Sequence, residues 1–316
     1  MEVSYQHENE LEGKTLERKE NHKPIEIIQH GDKLEEQTAL ESEENRAPNK
    51  ITSLNILNVV FFVLNVIVTF GIGQFQWLGP GTSNGDLSLK YQTIVTPKGT
   101  AFSIWGIIFV SQGIFTVVQL LPKYRSHTMV VSGVRHWYIF ACIAQMGWTP
   151  TFALEIVPAS LVCMVLIWAA LLRLLFSQYY APSDRTLAEF WLLRFPFAVH
   201  AGWITAATAV NTNVVVVWAG ATAASQLAIG IVSLAVLHAI SVWVLFVVPK
   251  PNYTFAFVLA WANFWIRGEL QSPSELIEAT FTSDIVNAVA YASLTVSIII
   301  LMQIVIRSSI QAYKEE

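Results

Sequence analysis

Three groups of aromatic and polar residues recur at helical spacing: Trp105, Phe109 and Gln112; Gln145, Trp148 and Phe152; and His200, Trp203, Ala207 and Asn211. Steps of three and four put each group on one side of a helix, and three such sides can converge on one ligand. Flat indole and phenyl rings with a few amide and N–H groups suit a planar hydrophobic molecule better than bond-breaking chemistry. His200, one turn before Trp203, adds a neutral imidazole able to hydrogen-bond a ligand or give axial contact to a metalloporphyrin. A satisfied histidine between helices is the plainer alternative.

Catalytic signatures do not accompany these residues. There is no phosphate-binding loop, no nucleophile beside a base and no pair of intramembrane carboxylates, which argues weakly against an enzyme and leaves no catalytic residue to name. His200 and His238 are the only histidines inside apolar segments, and neither has Glu or Cys at helical ligand spacing, so no metal site is expected. Cys142 and Cys163 lie in apolar company, where a free thiol acts as a small hydrophobe.

The elements that must carry the site are membrane helices. Of the 316 residues 53% are hydrophobic and 13% charged, the balance of a polytopic membrane protein. Crossing roughly 30 Å of hydrocarbon takes about 20 apolar residues, and eight candidate spans fit. They lie near 51–73, 102–121, 137–154, 156–177, 190–210, 221–248, 252–267 and 284–307, the third and seventh being short. Lys and Arg gather on one side if both ends of the chain are cytoplasmic, with Lys90, Lys98 and Arg267 on the other side. The expectation is an all-α, multi-pass integral membrane bundle, in a membrane the sequence does not name.

The net charge of −4 comes from an acidic first segment. Residues 1–50 have few aromatics and no sustained apolar period, and read as a disordered cytoplasmic tail. The stretch Gln74–Thr100, with Trp77, Tyr91 and several glycines, reads as an interfacial lid; Trp77 and Tyr91 read equally well as interfacial anchors. Asn55, Asn58 and Asn65 share one face of the first span, a pattern that predicts contact with other helices. Trp137, Trp191 and Trp218 fall near span ends, whereas Trp105, Trp148, Trp203, Trp243, Trp261 and Trp265 fall deeper and at bundle-facing spacing. Arg173 and Arg194 lie near span ends, where they can snorkel.

Three segments resemble the translocator protein family, also called tryptophan-rich sensory proteins or TspO/MBR. Thr96-Pro97, Gly99 and "AFSIWGIIF" from Ala101 to Phe109 look like that family's start of the second helix. "AQMGWTPTF" from Ala144 to Phe152 is similar to its third-helix Asn-x-x-Trp-x-Pro-x-Phe motif, and "WITAATAVN" from Trp203 to Asn211 to its fifth-helix pattern. Gln145 stands where the family has Asn, Thr149 replaces the first of two prolines, and Cys163 falls near the family's fourth-helix Asp. The resemblance covers roughly residues 51–218.

That resemblance implies a five-helix unit over residues 51–220, with about three additional helices in 221–316. It also implies a pocket beneath the first loop for porphyrins, other tetrapyrroles or sterol-like lipids. By position it makes Trp105, Phe109, Trp148, Trp203, Ala207 and Asn211 pocket residues and Gln145 a substituted member; the helical spacing adds His200. No cofactor is required, although a bound porphyrin or haem would fit the expectation. The expected partners are a hydrophobic small molecule and the lipid bilayer, with a homodimer as a further option and no nucleic acid.

Three functions compete on this reading. The first is a receptor or sensor for a planar hydrophobic ligand. The second is a transporter of such a ligand or of a small solute, with Gln226, His238, Asn263, Asn287 and Gln303 as its pathway. The third, a porphyrin-degrading activity, lacks any redox cofactor motif.

Overall fold

A computed structural model of the chain describes residues 50–315, so the expected tail over 1–50 lies outside the described residues. Eight long helices follow in order: α1 Ser53–Gly73, α2 Ile104–Val118, α3 Trp137–Ala153, α4 Val157–Tyr180, α5 Phe195–Trp218, α6 Ala223–Val242, α7 Tyr253–Leu270 and α8 Ser283–Glu315. No strand occurs among the described residues.

The first helix shows what solvent the bundle is built for. Asn55, Asn58, Asn65 and Thr69 are buried, while Ile56, Val60, Val63 and Ile67 are exposed. A soluble protein reverses this order; a helix facing lipid turns its apolar side outward and satisfies polar groups inward. Asn58 Nδ2 accordingly donates to Gln119 Oε1 at 2.9 Å, and Gln119 Nε2 donates to the Asn55 carbonyl at 3.1 Å, joining α1 to the end of α2. Thr52 caps the helix, its hydroxyl accepting from the Asn55 backbone N–H.

Five helical segments are long and apolar enough to cross a membrane: Ser53–Gly73, Gly99–Val118, Val157–Tyr180, Ala223–Val247 and Ser283–Lys314. Of the remaining helices, α5 explains why hydropathy alone misses it. Pro196 through Ala206 are buried without interruption, so no side of that stretch needs to match lipid, and His200, Thr205 and Asn211 can be carried. It runs to Trp218, well past the expected end near 210. Thr208, Thr212 and Asn213 bond back to the carbonyls of Ile204, Thr208 and Ala209, which keeps these polar residues compatible with a helix.

Helix α5 is also the axis on which the two parts of the chain meet. One apolar cluster joins Ala101, Ile104 and Ile108 to Met164, Trp203, Phe255, Leu259 and Ile300. Gly202 permits the close approach of α7: a Cβ there would stand 2.9 Å from the Val258 Cβ and 3.0 Å from the Phe255 carbonyl oxygen. The side chain of Ser297 in α8 donates to the Ala260 carbonyl at 2.9 Å, tying the last helix to α7.

Candidate functional site

A cavity of about 780 Å³ opens beneath the Gln74–Thr100 loop. Its aromatic wall is built from the spacing seen in the sequence. Trp105 and Phe109, one turn apart on α2, stack with centroids 5.6 Å apart, and Phe70 of α1 adds a tilted ring 5.2 Å from Phe109. Trp148 and Phe152, one turn apart on α3, stack at 5.1 Å. Trp203 of α5 stands edge-on to Trp105 at 6.4 Å and to Phe102 at 5.5 Å. Edge-to-face and offset contacts of this kind hold the rings in fixed orientations.

Polar groups are few and are placed by their partners. Trp148 Nε1 donates to Asn211 Oδ1 at 2.9 Å, and Asn211 Nδ2 donates to Ser160 Oγ at 3.3 Å, which fixes the indole across α3, α4 and α5. Trp203, 2% exposed, has no hydrogen-bond partner for its Nε1. A buried indole N–H left this way costs about 1–3 kcal/mol. The charged residues on the wall are Asp86 and Glu269, and no lysine, arginine or histidine lines it among the described residues.

The loop over the cavity is pinned at several points. A short helix, Asn84–Lys90, is capped by Ser83. Lys90 Nζ lies 2.6 Å from Glu155 Oε2, and the Tyr91 hydroxyl donates to the same carboxylate, which sits at the tight α3–α4 junction with a φ of 59°. The Lys90 ammonium, then the Tyr91 hydroxyl, hold the Glu155 carboxyl below its ordinary range, and the carboxylate raises Lys90. Gln92 Nε2 donates to Glu269 Oε1 at 2.6 Å, Ser274 bonds Gln92, and Lys98 N–H donates to the Trp265 carbonyl at 3.0 Å. Tyr91 is thus a latch rather than a plain interfacial anchor, whereas Trp77 is 63% exposed with its ring over Gly71.

Six of the eight residues expected at the site line this cavity: Trp105, Phe109, Trp148, Trp203, Ala207 and Asn211. His200 and Gln145 do not. The His200 ring packs edge-on to Trp105 at 5.7 Å, behind the wall, and its Nδ1 lies 2.8 Å from Gln112 Nε2, while the Gln112 Oε1 accepts from the Tyr138 hydroxyl. Gln145 is 1% exposed and its amide atoms have no protein partner.

The wall also contains residues that neither spacing nor motif singles out. Phe70 of α1, Leu234 and Leu237 of α6, and Ala262 and Ile266 of α7 line it, so the later helices contribute to the same cavity as α2, α3 and α5. None of Gln226, His238, Asn263, Asn287 and Gln303 does. Gln226 bonds the Ala221 carbonyl, Asn263 the Leu259 carbonyl, and Asn287 is exposed. Trp243 is 48% exposed and faces outward instead of into the bundle. Arg194, expected to snorkel, pairs with the buried Glu189 at 2.5 Å.

Comparison with known proteins places this architecture. No curated protein and no solved structure matches the chain at a significant level. The family model for TSPO-like proteins matches residues 55–306, from the first turn of α1 into α8, and so includes the C-terminal helices beyond the 51–218 resemblance. With five apolar helices of spanning length, this makes the protein an integral, multi-pass membrane protein, and the chain belongs to the TSPO-like protein family.

Proposed function

We propose that the protein is a membrane receptor or sensor that binds a planar, hydrophobic and uncharged ligand, of sterol-like shape, in the cavity beneath the first loop. The observation that carries this reading is the cavity of about 780 Å³ walled by Trp105, Phe109, Trp148, Phe152 and Trp203. That volume falls within the roughly 300–1,000 Å³ of small-molecule sites, and such sites are mostly apolar with a few fixed polar groups.

The polar groups favour one of the two ligand classes raised by the sequence. A porphyrin with two propionates would bring negative charge to a wall whose charged members are Asp86 and Glu269, with no cation among the described residues to receive it. A neutral lipid with a single hydroxyl meets no such repulsion. Sterol-like ligands are therefore favoured over tetrapyrrole acids.

Titration of the detergent-purified protein with dehydroergosterol and with protoporphyrin IX, followed by energy transfer from tryptophan and by the Soret band, tests this. Saturable sterol binding that is lost in Trp105→Ala and Trp203→Ala, with weaker porphyrin binding, is expected. Unchanged sterol affinity in both variants, each still unfolding cooperatively, would overturn the reading.

A further inference from the structure

A second hollow, of about 1310 Å³, is a lateral groove between α3, α4 and the α6–α7 turn, and it shares no lining residue with the first. Among the described residues its walls carry three cations, Arg173, Arg194 and Lys250, and no carboxylate. Arg194 is paired with Glu189, but neither Arg173 nor Lys250 forms an ion pair with a described carboxylate. Both are held over aromatic faces instead. The Arg173 guanidinium lies 5.6 Å from the Trp137 ring centre and 5.4 Å from that of Phe176, and Lys250 Nζ lies 5.3 Å from that of Tyr179.

The position of Arg173 on α4 makes this arrangement informative. It stands seven residues before the end of α4 at Tyr180, about 10 Å along the helix. A cation beside an apolar, lipid-facing wall is costly without a counter-charge, and contact with aromatic faces recovers only part of the cost. The outward side of the groove is apolar, with Phe140, Leu166, Trp243 and Val247 all exposed. Cations alone would attract any anion and apolar walls alone any lipid; a molecule with a phosphate and an acyl chain uses both.

We propose that this groove is a binding site for an anionic phospholipid, its phosphate held by Arg173 and Lys250 and an acyl chain lying along Phe140, Leu166 and Trp243. The site is independent of the ligand cavity and of the function proposed for it. Juxtaposed cations of this kind favour anionic over zwitterionic lipid by about fivefold each, and about twenty-five-fold for the two together.

The test equilibrates the full-length protein in neutral detergent with equal amounts of phosphatidylglycerol and phosphatidylcholine of one acyl composition, and reads retained lipid by native mass spectrometry. Preferential retention of phosphatidylglycerol is expected. The Arg173→Gln/Lys250→Gln double variant should lose that preference, whereas Arg173→Lys/Lys250→Arg and Lys123→Gln, a cation outside the groove, should keep it. Equal retention of the two lipids by the unaltered protein overturns the proposal. So does an anionic preference that survives the double variant or that disappears in Lys123→Gln.

Discussion

Adding volume to the ligand cavity separates binding from folding. Ala207 lies on the α5 wall, one turn beyond Trp203, with its methyl group facing the cavity. Ala207→Leu would project three further carbons into that space. At about 0.8 kcal/mol per buried methylene, the ligand-free protein gains at most about 2.4 kcal/mol of apolar burial. A ligand that must give up the same three carbons' worth of contact loses a similar amount, about fiftyfold in Kd. Affinity and stability should therefore move in opposite directions. Energy transfer to dehydroergosterol measures the first, and thermal unfolding without ligand the second. A variant that binds the sterol like the unaltered protein, or that unfolds earlier without ligand, would refute the reasoning, because either result means that position 207 does not face free space.

Further outcomes follow from single contacts. Trp148→Phe keeps the ring stacked on Phe152 but removes the N–H donated to Asn211; about 1 kcal/mol of stability should be lost, measured by thermal or denaturant unfolding, with sterol affinity reduced. Gly202→Ala forces a Cβ against Val258 and the Phe255 carbonyl and should destabilise by about 1–3 kcal/mol, whereas Gly106→Ala meets nothing within 4 Å and should not destabilise. Glu155 has its folded pKa lowered, chiefly by Lys90, so its contribution to the latch is complete above the ordinary carboxylate value and is lost as pH falls through the depressed one. Lys90, raised by Glu155, contributes below its ordinary value and loses that as pH rises through the raised one. Hydrogen exchange across Asn84–Thr96 should therefore be insensitive to the latch from about pH 5 to pH 9 once intrinsic rates are removed, and should accelerate below about pH 4.

The sequence made part of this site legible for a physical reason. Trp105, Phe109, Trp148, Trp203, Ala207 and Asn211 combine helical spacing with motifs along α2, α3 and α5, and all six reach the cavity. Phe70, Leu234 and Ile266 reach it too, but on membrane helices apolar residues face both lipid and interior, so a hydrophobic residue carries no mark that separates a cavity wall from a lipid face. His200 shares the face of Trp203 in sequence, yet the Gln112 amide on the neighbouring helix holds it behind Trp105, a contact that spacing along one helix cannot encode. Trp243 fails similarly: its position satisfies helical spacing, but it lies on the groove side of the bundle. Helix α5 runs past the expected end near 210 because Asn211, Thr212 and Asn213 find backbone and cross-helix partners for their polar side chains.

The most direct measurement is to label the membrane-embedded protein with a photoreactive sterol and map the modified residues by mass spectrometry. The account predicts adducts on the cavity wall, at or beside Trp105, Trp148, Trp203, Leu234 and Ile266, that are competed by unlabelled sterol and absent in Ala207→Leu. Adducts confined to outward-facing residues such as Ile56, Val60 and Val110, unaffected by competitor, would contradict it.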